Sequence, residues 1–322
     1  MPRKGRVIVA IPVFVAVMAL LWLVGGWWRG GPLPKDSAFT VRDGSTLSSV
    51  ASDLRQAGAI GSARSFLIRA KLLGGHDPVQ AGDFDLPRHA SEASILDLLQ
   101  HGKPLRRLVT IPEGMPSIMV YERLMAEPLL TGTIPVPPEG SVLPDSYAFQ
   151  RGDTRAAVLA RMQAAMTAFL AKAWAARKPT AVVTTPEQAL TLASIIEKET
   201  GKESERRMVA GVMSNRLRIG MMLGADATTI YPITKGKPLG RMIRQSELRD
   251  PNPYNTRAVA GLPPGPITNP GRASILAAVD PAPTKALYYV ADGTGGHVFA
   301  DTLAEHNRNV EKWRAIRKAR GE

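Results

Sequence analysis

The chain opens with its longest uninterrupted run of apolar positions, from Val7 to Trp28, in which no side chain is charged. A helix rises about 1.5 Å per residue, so this run would extend roughly 33 Å, enough to cross the hydrocarbon layer of a membrane. Basic residues precede the run and tryptophans close it: Arg3, Lys4, Arg6, Trp22 and Trp27. The pattern predicts a transmembrane helix over residues 7–28, with residues 1–6 in the cytoplasm. A cleaved signal peptide is one alternative, although the end of the run lacks the small residues of a cleavage site. A buried core helix is the other, and the length of the run counts against it.

A strand–turn–helix pattern then occurs twice along the chain. The stretch "TVRDGSTLSSVASDL" (Thr40–Leu54) is similar to "TIPEGMPSIMVYERL" (Thr110–Leu124), because in each a Thr-apolar step leads to an acidic residue and a glycine. An apolar pair at i,i+4 spacing follows in both copies, which indicates one face of a helix. Gly44 and Gly114 stand where a turn with positive φ is expected. With the short helical patterns between the copies, the sequence predicts a small α+β module over residues 38–130.

Two segments rich in glycine and proline separate the parts of the chain. Residues 29–37 follow the apolar run and predict a linker. Thr131–Asp153 contains four prolines and three glycines and predicts a domain boundary. Helical and strand-like patterns follow it, so the predicted fold class of the chain is α+β, with a second domain over residues 131–322.

One helix pattern of the second domain carries a carboxylate in an unusual place. Thr185 is a good N-cap, Pro186 suits the first helical position, and Gln188 would complete a capping box. The pattern continues to about residue 200, where a threonine and a glycine end it. Glu199 lies four residues after Ile195 and therefore shares the apolar face of the predicted helix.

The environment predicted for Glu199 favours acid chemistry. A carboxyl held against aliphatic side chains loses water, and its pKa rises because the charged form is disfavoured. Such a group can hold a proton near neutral pH and deliver it to a glycosidic oxygen. The alternative, which the helix pattern taken alone favours, is that the last turn frays. Glu199 would then be solvated or would pair with Arg206 or Arg207.

Composition narrows the choice of partners. The chain has 322 residues, 44% of them hydrophobic, and a formal net charge of +13 at pH 7. This charge favours anionic partners such as acidic lipid headgroups or a cell-wall polymer, whereas no zinc spacing or recognition-helix pattern supports nucleic acid. The absence of cysteine excludes thiolate catalysis and cysteine metal sites. His297 and His306 lack a supporting carboxylate pattern, so we expect them to be structural and predict no metal site.

The glycine-rich stretch "DGTGG" (Asp292–Gly296) joins two strand-like segments and predicts a β-hairpin. A phosphate-binding loop is the alternative. That alternative is poor, because no Lys-Ser/Thr pair follows and no helix begins there. The sequence therefore predicts no cofactor.

The order of the motifs after Ala193 indicates a family. They are "ASIIEKET" (Ala193–Thr200), "NRLRIGM" (Asn215–Met221), "DATTIY" (Asp226–Tyr231), "NPYNTR" (Asn252–Arg257), "GLPPGPITNPG" (Gly261–Gly271), "ADGTGGHVF" (Ala291–Phe299) and "EHN" (Glu305–Asn307). In this order they closely resemble the endolytic murein transglycosylases, the MltG/YceG-like family. The resemblance implies an N-terminal transmembrane helix, a small LysM-like α+β module over residues 38–130, and a YceG-like mixed α/β catalytic domain over residues 131–322.

The resemblance also implies a reaction, that of a lyase. The family's catalytic residue is the second glutamate of the Glu-Lys-Glu stretch, which is Glu199 here. Enzymes of this family cut the MurNAc–GlcNAc β-1,4 bond within a glycan strand, and the sugar's own 6-hydroxyl attacks C1 to leave a 1,6-anhydro-MurNAc end. One carboxyl can serve first as acid and then as base, so neither a metal nor a cofactor is needed. The expected role is to terminate the elongation of nascent glycan strands.

Four further residues are predicted to bind substrate. Asp226 could steady positive charge at the sugar or hold a hydroxyl, and capping a short turn is an equal alternative. Tyr254 and Asn255 are expected to hydrogen-bond the N-acetyl group or the glycan hydroxyls, with turn formation as the alternative. Asn269 lies in the Pro-rich stretch expected to form a wall of the cleft and is an additional candidate contact.

The expected location is the inner membrane, with the N-terminus in the cytoplasm and the catalytic domain in the periplasm. The expected partners are peptidoglycan glycan strands, the membrane and, by resemblance, the penicillin-binding proteins that polymerise glycan. Two alternatives to a lytic enzyme remain open. The chain could be a non-catalytic peptidoglycan-binding scaffold of the cell-wall synthesis machinery, or a hydrolase with Asp226 as its second carboxylate.

Overall fold

The computed structural model of the protein describes residues 4–105 and 107–321, with side chains from residue 14 onward. Contacts within the chain divide it into two compact units. The units are Met1–Arg107 with Ala148–Arg151, and Leu108–Tyr147 with Gly152–Glu322. The predicted domain boundaries, including the LysM-like assignment of residues 38–130, stay predictions.

Short strands occur in three pairs along a mainly helical chain, and the predicted α+β class is corrected to mixed α/β, because strands lie between helices both early in the chain and near its end. In the described residues the helices are α1 (Lys4–Trp28), α2 (Leu47–Gln56), α3 (Ala63–Leu73), α4 (Glu92–His101), α5 (Ser117–Ala126), α6 (Arg155–Ala175), α7 (Pro186–Glu199), α8 (Arg206–Arg218), α9 (Asp226–Thr234), α10 (Gln245–Leu248), α11 (Arg272–Val279) and α12 (Leu303–Arg320). The strands are β1 (Ser37–Val41), β2 (Gly82–Leu86), β3 (Arg107–Thr110), β4 (Ser146–Phe149), β5 (Tyr288–Ala291) and β6 (His297–Ala300). They pair as β1 with β2, β3 with β4, and β5 with β6. A short 3-10 helix, Glu203–Glu205, lies between α7 and α8.

The first unit is built around the order β1–α2–α3–β2, followed by α4. β1 and β2 are antiparallel, with Phe39 opposite Phe84. Thr46 caps α2 by accepting a hydrogen bond of 3.2 Å from the Ser49 amide. Gly44 has the positive φ that its place in the turn predicts. These elements enclose a core of aromatic and aliphatic side chains: Phe39, Leu54, Phe66, Phe84, Leu86, Ile95 and Leu99.

Helix α1 is present, but its predicted role as a membrane span is wrong. None of the helices in the described residues combines the length and the apolar character that crossing a membrane requires. The end of α1 packs on its own unit, where Trp27 is 3% exposed and its ring lies 6.1 Å from the ring of Phe66. The guanidinium of Arg69 lies 4.4 Å from the Trp22 ring, a cation–π contact. Two tryptophans that were predicted to lie at a membrane interface therefore contact other residues of their own unit.

The segments on either side of α1 were predicted to be a cytoplasmic N-terminus and a linker. Of the N-terminal segment, residues 1–3 lie outside the described residues. The predicted linker is packed against the first unit, because Leu33 is buried in its core. The Gly31 amide also donates a hydrogen bond of 3.1 Å to the Ala90 carbonyl. A Cβ at Gly31 would lie 2.5 Å from that carbonyl oxygen, so this close approach requires glycine.

Helix α7 lies at the centre of the second unit, because its middle part, residues 189–196, consists of apolar or small residues. Its buried side chains include Ala189, Leu192, Ala193, Ile195 and Ile196. The helix packs against α6, α8, α9 and α11. Side chains from the surrounding elements complete this core: Met166, Val209, Met213, Ile275 and Val279. Packing on so many sides fixes the direction in which the last turn of α7 presents its side chains.

The last part of the second unit is a β-hairpin packed on a long helix. β5 and β6 are antiparallel, with Tyr289 opposite Phe299. The "DGTGG" stretch forms the turn between them, which confirms the predicted hairpin. Helix α12 packs against both strands and begins with a capping box formed by Thr302 and Glu305. The hairpin carries Tyr289 to the end of α7, where its hydroxyl meets a carboxyl group.

Candidate active site

Helix α7 begins and ends where its sequence pattern predicts. Thr185 accepts a hydrogen bond of 3.2 Å from the Gln188 amide, and Pro186 is the first helical residue. The side-chain oxygen of Gln188 accepts from the Thr184 amide at 2.9 Å, so the reciprocal half of the predicted capping box is shifted by one residue. The helix ends at Glu199. The carboxylate that the sequence singles out is therefore fixed by the hydrogen bonds and packing of its own helix.

Glu199 is half-buried, and its carboxyl accepts a hydrogen bond. The Tyr289 hydroxyl donates to Glu199 Oε2 over 2.8 Å. Burial raises the pKa of Glu199 above its ordinary value, and the negative charge of Asp226 adds to this effect. The Tyr289 hydrogen bond and the charges of His297 and Arg257 act in the opposite direction and offset part of the rise. Glu199 therefore keeps its proton to a higher pH than an exposed glutamate.

The two arginines that could have neutralised Glu199 bind elsewhere. Arg206 lies 3.6 Å from Glu197, and Arg207 lies 2.9 Å from Asp280. In the part of the chain that the structure describes, no salt bridge reaches Glu199 itself. The alternative in which Glu199 is neutralised by Arg206 or Arg207 is therefore not observed.

Glu197, two residues earlier on the same helix, belongs to a separate ion-pair network. Its side chain is 6% exposed, its Oε1 faces Arg206, and its Oε2 accepts a hydrogen bond of 2.9 Å from the Gly271 amide. Arg206 also lies 3.4 Å from Glu113. Glycine at position 271 leaves room for the Glu113 side chain, because a Cβ there would lie 2.0 Å from the Glu113 carboxylate and would force it to move. The sequence pattern did not indicate this network, because its members come from four distant segments.

The hairpin supplies surroundings of Glu199 that the sequence did not single out. The backbone amide of His297 donates to Glu205 over 3.0 Å, and its Nδ1 lies 2.8 Å from the second oxygen of the same carboxylate. The His297 ring meets the Tyr289 ring edge-on, with centroids 5.3 Å apart. Arg216 donates to the Leu287 carbonyl over 2.7 Å, immediately before β5. The alternating "LYYV" pattern predicts a strand, but which tyrosine faces Glu199 depends on long-range packing.

Among the residues predicted to bind substrate, Asp226 is the one whose charge acts on the pKa of Glu199. It is the first residue of α9, and its carboxylate forms an ion pair with Arg257. The Asp226 side chain is 56% exposed, so this pair is open to solvent. Its charge nevertheless acts on Glu199 and raises the pKa of that group. Asp226 is therefore an electrostatic neighbour of Glu199 whose own carboxylate is already engaged.

Tyr254 and Asn255 lie together but face different surroundings. Asn255 is fully buried, and its side-chain oxygen accepts a hydrogen bond of 2.7 Å from Thr229 on α9. Its amide nitrogen donates to the Asp250 carbonyl over 2.8 Å. The half-buried Tyr254 ring packs 4.9 Å from the Tyr231 ring. The Asn255 side chain thus holds its own loop against α9, whereas Tyr254 keeps part of its surface accessible.

Asn269 is fully buried and uses both ends of its side-chain amide within the protein. Its oxygen accepts a hydrogen bond of 3.0 Å from the Val142 amide. Its nitrogen donates to the Met115 carbonyl over 2.9 Å and to the Ser117 hydroxyl over 3.1 Å. These contacts tie together three segments of the second unit, and they do not include the groups around Glu199.

A cavity of about 460 Å³ opens beside the last turn of α7. Its lining includes Lys198 and Ala227, the sequence neighbours of Glu199 and Asp226. Most of the remaining lining is apolar: Pro112, Met115, Pro116, Met119, Ile230, Leu239 and Ile267. The volume falls within the range of roughly 300–1,000 Å³ that is usual for small-molecule sites. Neither Glu199 nor Asp226 is among the lining residues. The cavity therefore adjoins the segment that carries the candidate acid without containing that acid.

Comparison with known proteins places these features in a family. Residues 39–312 match the YceG-like family. The chain is 28% identical to the endolytic murein transglycosylase of Bacillus subtilis (strain 168), over 90% of its own length and 91% of that protein. It is 29% identical to a protein of the same name from Streptococcus pneumoniae serotype 2, over 84% of its length, and spans 57% of that longer relative. A crystal structure of a yceG-like protein from Listeria monocytogenes superposes with a TM-score of 0.54 at 27% identity, covering 85% of this chain and 98% of that one.

The family match contains every group described around Glu199, from the end of α7 to the β5–β6 hairpin. The superposition with the Listeria structure extends the similarity to three dimensions over most of the chain. Because the match covers residues 39–312 of a chain of 322, the protein belongs to the YceG-like family.

Proposed function

We propose that this YceG-like protein is an endolytic murein transglycosylase, a lyase that acts within peptidoglycan glycan strands. It cleaves the β-1,4 bond between MurNAc and GlcNAc and leaves a 1,6-anhydro-MurNAc end. The relatives from Bacillus subtilis and Streptococcus pneumoniae carry the name of this activity. The observation that carries the proposal for this chain is the half-buried carboxyl of Glu199, which accepts a hydrogen bond from Tyr289 and whose pKa is raised by burial.

In the first step Glu199 acts as a general acid. Its raised pKa keeps the carboxyl protonated at a pH where an exposed glutamate is ionised. The proton passes to the glycosidic oxygen as the bond between that oxygen and C1 of MurNAc breaks. The GlcNAc part leaves with a hydroxyl group, and the electron pair of the broken bond remains on that oxygen. Glu199 is left as a carboxylate, which the Tyr289 hydroxyl stabilises by its hydrogen bond.

In the second step the same group acts as a general base. The 6-hydroxyl oxygen of MurNAc forms a bond to C1, and its proton passes to the Glu199 carboxylate. This closes the 1,6-anhydro ring and restores the starting protonation state. No water is consumed, and the masses of the two products add up to the mass of the substrate. A single carboxyl is therefore sufficient, as long as it can both give and take a proton.

The ion pair of Asp226 supports a lyase rather than a hydrolase with two independent carboxylates. A carboxylate bound to the Arg257 guanidinium has its negative charge partly neutralised, which makes it a poorer nucleophile or base. We keep Asp226 as a proposed contact to a sugar hydroxyl, because a carboxylate paired with one guanidinium still has lone pairs that can accept hydrogen bonds. We retain Tyr254 as a proposed sugar contact because part of its ring is accessible. For Asn255 and Asn269 we propose that the buried amides shape the site and do not touch the glycan.

The mass of the products tests the reaction. Purified protein is incubated with glycan strands, and the released fragments are analysed by mass spectrometry. We expect fragments that end in 1,6-anhydro-MurNAc and are lighter by one water than the corresponding reducing fragments. Fragments with reducing ends would show hydrolysis and would overturn the lyase assignment. Intact strands after digestion with folded protein would favour the scaffold alternative.

A pair of substitutions on α7 tests the residue. Glu199→Gln keeps the shape of the side chain and removes its acid, so we expect cleavage to fall by about 10²- to 10⁴-fold. Glu197→Gln is the matched control, because it is the same substitution on the same helix at a position held by Arg206 and Gly271. We expect the Glu197→Gln protein to lose stability but to retain cleavage while folded. Full activity of Glu199→Gln would exclude Glu199 as the acid.

We propose that the first unit contains a LysM-like module that holds glycan. The order β1–α2–α3–β2 with an antiparallel β1–β2 pair supports this proposal. A cavity of about 570 Å³ lies at the β1–α2 and α3–β2 connections and is lined by both, including Thr46, Leu67 and Val79. A pull-down of the protein with insoluble peptidoglycan, with and without a Thr46→Trp change that fills this cavity, tests glycan binding at that place.

Location and partners follow from the substrate. Peptidoglycan is made and remodelled outside the cytoplasmic membrane, so we propose that the protein acts outside the cytoplasm. A protease-accessibility assay on intact spheroplasts tests this location. We also propose, on the family resemblance, that the penicillin-binding proteins that polymerise glycan are its partners in terminating nascent strands. Cross-linking in cells followed by identification of the captured proteins tests this part of the proposal.

A further inference from the structure

The two oxygens of the Glu199 carboxyl have different surroundings. Oε2 accepts the hydrogen bond of 2.8 Å from the Tyr289 hydroxyl. For Oε1, no hydrogen-bond donor is seen among the described residues. A proton shared with a substrate is therefore best carried on Oε1, because the hydroxyl oxygen of a carboxyl group is a weaker acceptor than its carbonyl oxygen, so the Tyr289 hydroxyl donates best to an unprotonated Oε2. The asymmetry comes from β5, an element far from α7 in sequence.

Tyr289 is itself held in place by groups on three other elements. His297 on β6 packs edge-on against its ring at 5.3 Å, and Glu205 in the 3-10 helix fixes His297 through two contacts. Glycine at position 296 leaves room for this approach, because a Cβ there would lie 2.4 Å from the Glu205 carboxylate, which would have to shift. On the other side, Arg216 on α8 lies 5.8 Å from the Tyr289 ring centroid and binds the chain before β5.

We propose that Tyr289 is a positioning residue for the lytic reaction, which fixes Oε2 of Glu199 so that Oε1 is the oxygen that gives and then takes back the proton. The inference rests on the proposed function and adds to it a residue that selects the reactive oxygen. In the acid step the proton leaves Oε1 for the glycosidic oxygen, and the Tyr289 hydroxyl stabilises the charge that develops on the carboxylate. In the base step Oε1 receives the proton of the 6-hydroxyl. Tyr289 neither gains nor loses a proton in the cycle.

Tyr289 can keep this role over the whole working pH range because it remains a donor. Burial raises its pKa well above the ordinary value of a tyrosine, and the charge of Glu199 and the hydrogen bond to it raise it further. The positive charges of Arg216 and Arg257 oppose this rise. The hydroxyl therefore stays protonated and presents a hydrogen to Oε2 in both states of Glu199.

The substitution Tyr289→Phe removes the donor and keeps the ring that packs on His297. A hydrogen bond to a charged group contributes enough that we expect kcat to fall by about 10- to 100-fold, with KM changed by less than about threefold. The matched control is Tyr288→Phe. Tyr288 is the preceding residue, and its ring stacks on His306 at 5.2 Å instead of facing Glu199. We expect the control to cleave at nearly the unaltered rate.

The pH profile separates a positioning role from a general loss of packing. The Tyr289 hydrogen bond lowers the pKa of Glu199, so its removal raises that pKa further. Activity requires protonated Glu199 and falls as pH rises through this pKa. The basic limb of the profile is therefore expected to move to higher pH in Tyr289→Phe and to stay in place in Tyr288→Phe. The other charged groups that act on Glu199 are Asp226, His297 and Arg257, and both variants retain them.

A measurement that needs no catalysis makes the test independent of the proposed function. The carboxyl carbon of Glu199 is followed by NMR across pH in protein labelled with ¹³C-glutamate, with Glu199→Gln to assign the signal. We expect a higher midpoint in Tyr289→Phe than in the unaltered protein. An unchanged midpoint, or an equal shift in Tyr288→Phe, would overturn the inference. The unaltered protein could cleave no glycan while the midpoint of Tyr289→Phe is still higher than its own. That result would refute the proposed function and leave the hydrogen bond established.

Discussion

The last turn of α7 presents two glutamates to two regions of the second unit, and the regions treat them differently. Around Glu197 the charge is balanced, since Arg206 faces one oxygen and the Gly271 amide donates to the other. Around Glu199 the donor is a neutral tyrosine, and no ion pair is made within the described residues. The backbone, the helix and the residue type are the same. The difference lies entirely in what other segments bring to each carboxyl.

The comparison shows that burial alone does not prepare a carboxyl for acid chemistry. Desolvation disfavours the charged form, but an adjacent guanidinium restores it. At the Glu197 side the protein supplies that guanidinium, and the result is an ion pair that holds α7 to α8 and to the start of α11. At the Glu199 side Arg257 is engaged by Asp226 and lowers the pKa of Glu199 less than burial raises it. The absence of an ion pair at Glu199 in the described residues therefore leaves the effect of burial in place.

The largest effect on stability is expected from breaking the Glu197 region. Arg206→Met leaves the buried Glu197 without its cation, and we expect the free energy of unfolding to fall by about 3–5 kcal/mol. Arg207→Met is the matched control, because its pair with Asp280 is largely exposed and should contribute less than about 1 kcal/mol. Urea denaturation of both variants gives the two values. Equal losses would contradict the distinction between a buried network and a surface pair.

A smaller and pH-dependent effect is expected at Glu199. Its pKa is higher in the folded protein than in the unfolded chain, so with rising pH the unfolded state ionises first and the folded state loses stability. The Glu199→Gln protein has no ionisable group at this position, so it does not lose stability in this way as pH rises. The variant and the unaltered protein should be similar below the unfolded pKa, and the variant should become relatively more stable as pH rises toward the folded pKa. The cost is on the order of 1.4 kcal/mol for each unit of difference.

Thermal unfolding of both proteins from pH 4 to pH 8 measures this difference. The test is how the difference in stability between the two proteins changes with pH. A loss or gain of packing that is the same at every pH does not alter this slope. A variant that became relatively less stable with rising pH would show that the folded protein favours the carboxylate of Glu199. The contrast between the two glutamates would then fail.

The smallest effect is expected at the far end of the helix. Thr185→Ala removes the N-cap of α7 and should lower the free energy of unfolding by about 1 kcal/mol. Both glutamates lie more than three turns away, so the basic limb of the pH–activity profile should not move. Thr180→Ala, at an exposed position just before the helix, is the control. A shifted limb in Thr185→Ala would mean that α7 does not hold Glu199 as a rigid element.

Local features of the chain were predictable because they depend on neighbours within a few residues. The cap at Thr185, the end of α7 near Glu199, the turns at Gly44 and Gly114, and the β5–β6 hairpin follow from such patterns. The apolar face of α7 also placed Glu199 toward the protein. The order of motifs led to the family, which the match over residues 39–312 confirms.

The rest depended on contacts between distant segments. Tyr289 meets Glu199 across 90 positions, and no periodicity shows which of two adjacent tyrosines faces α7. The side-chain amide of Asn269 forms hydrogen bonds with groups more than 120 positions earlier in the chain, and a local motif cannot predict such partners. The membrane prediction failed for the same reason, because hydropathy takes no account of Trp27 packing on Phe66 within the first unit. For Asp226 and Tyr254 the contact with sugar stays a prediction.

The position of the β5–β6 hairpin in the chain also has a consequence for synthesis. A ribosome that has just added Glu199 must add 90 more residues before Tyr289 exists, and several more before β6 can pair with β5. Until then the growing polypeptide contains Glu199 without the tyrosine that hydrogen-bonds it. The surroundings of this carboxyl are therefore completed only near the end of synthesis, after most of the second unit has been made.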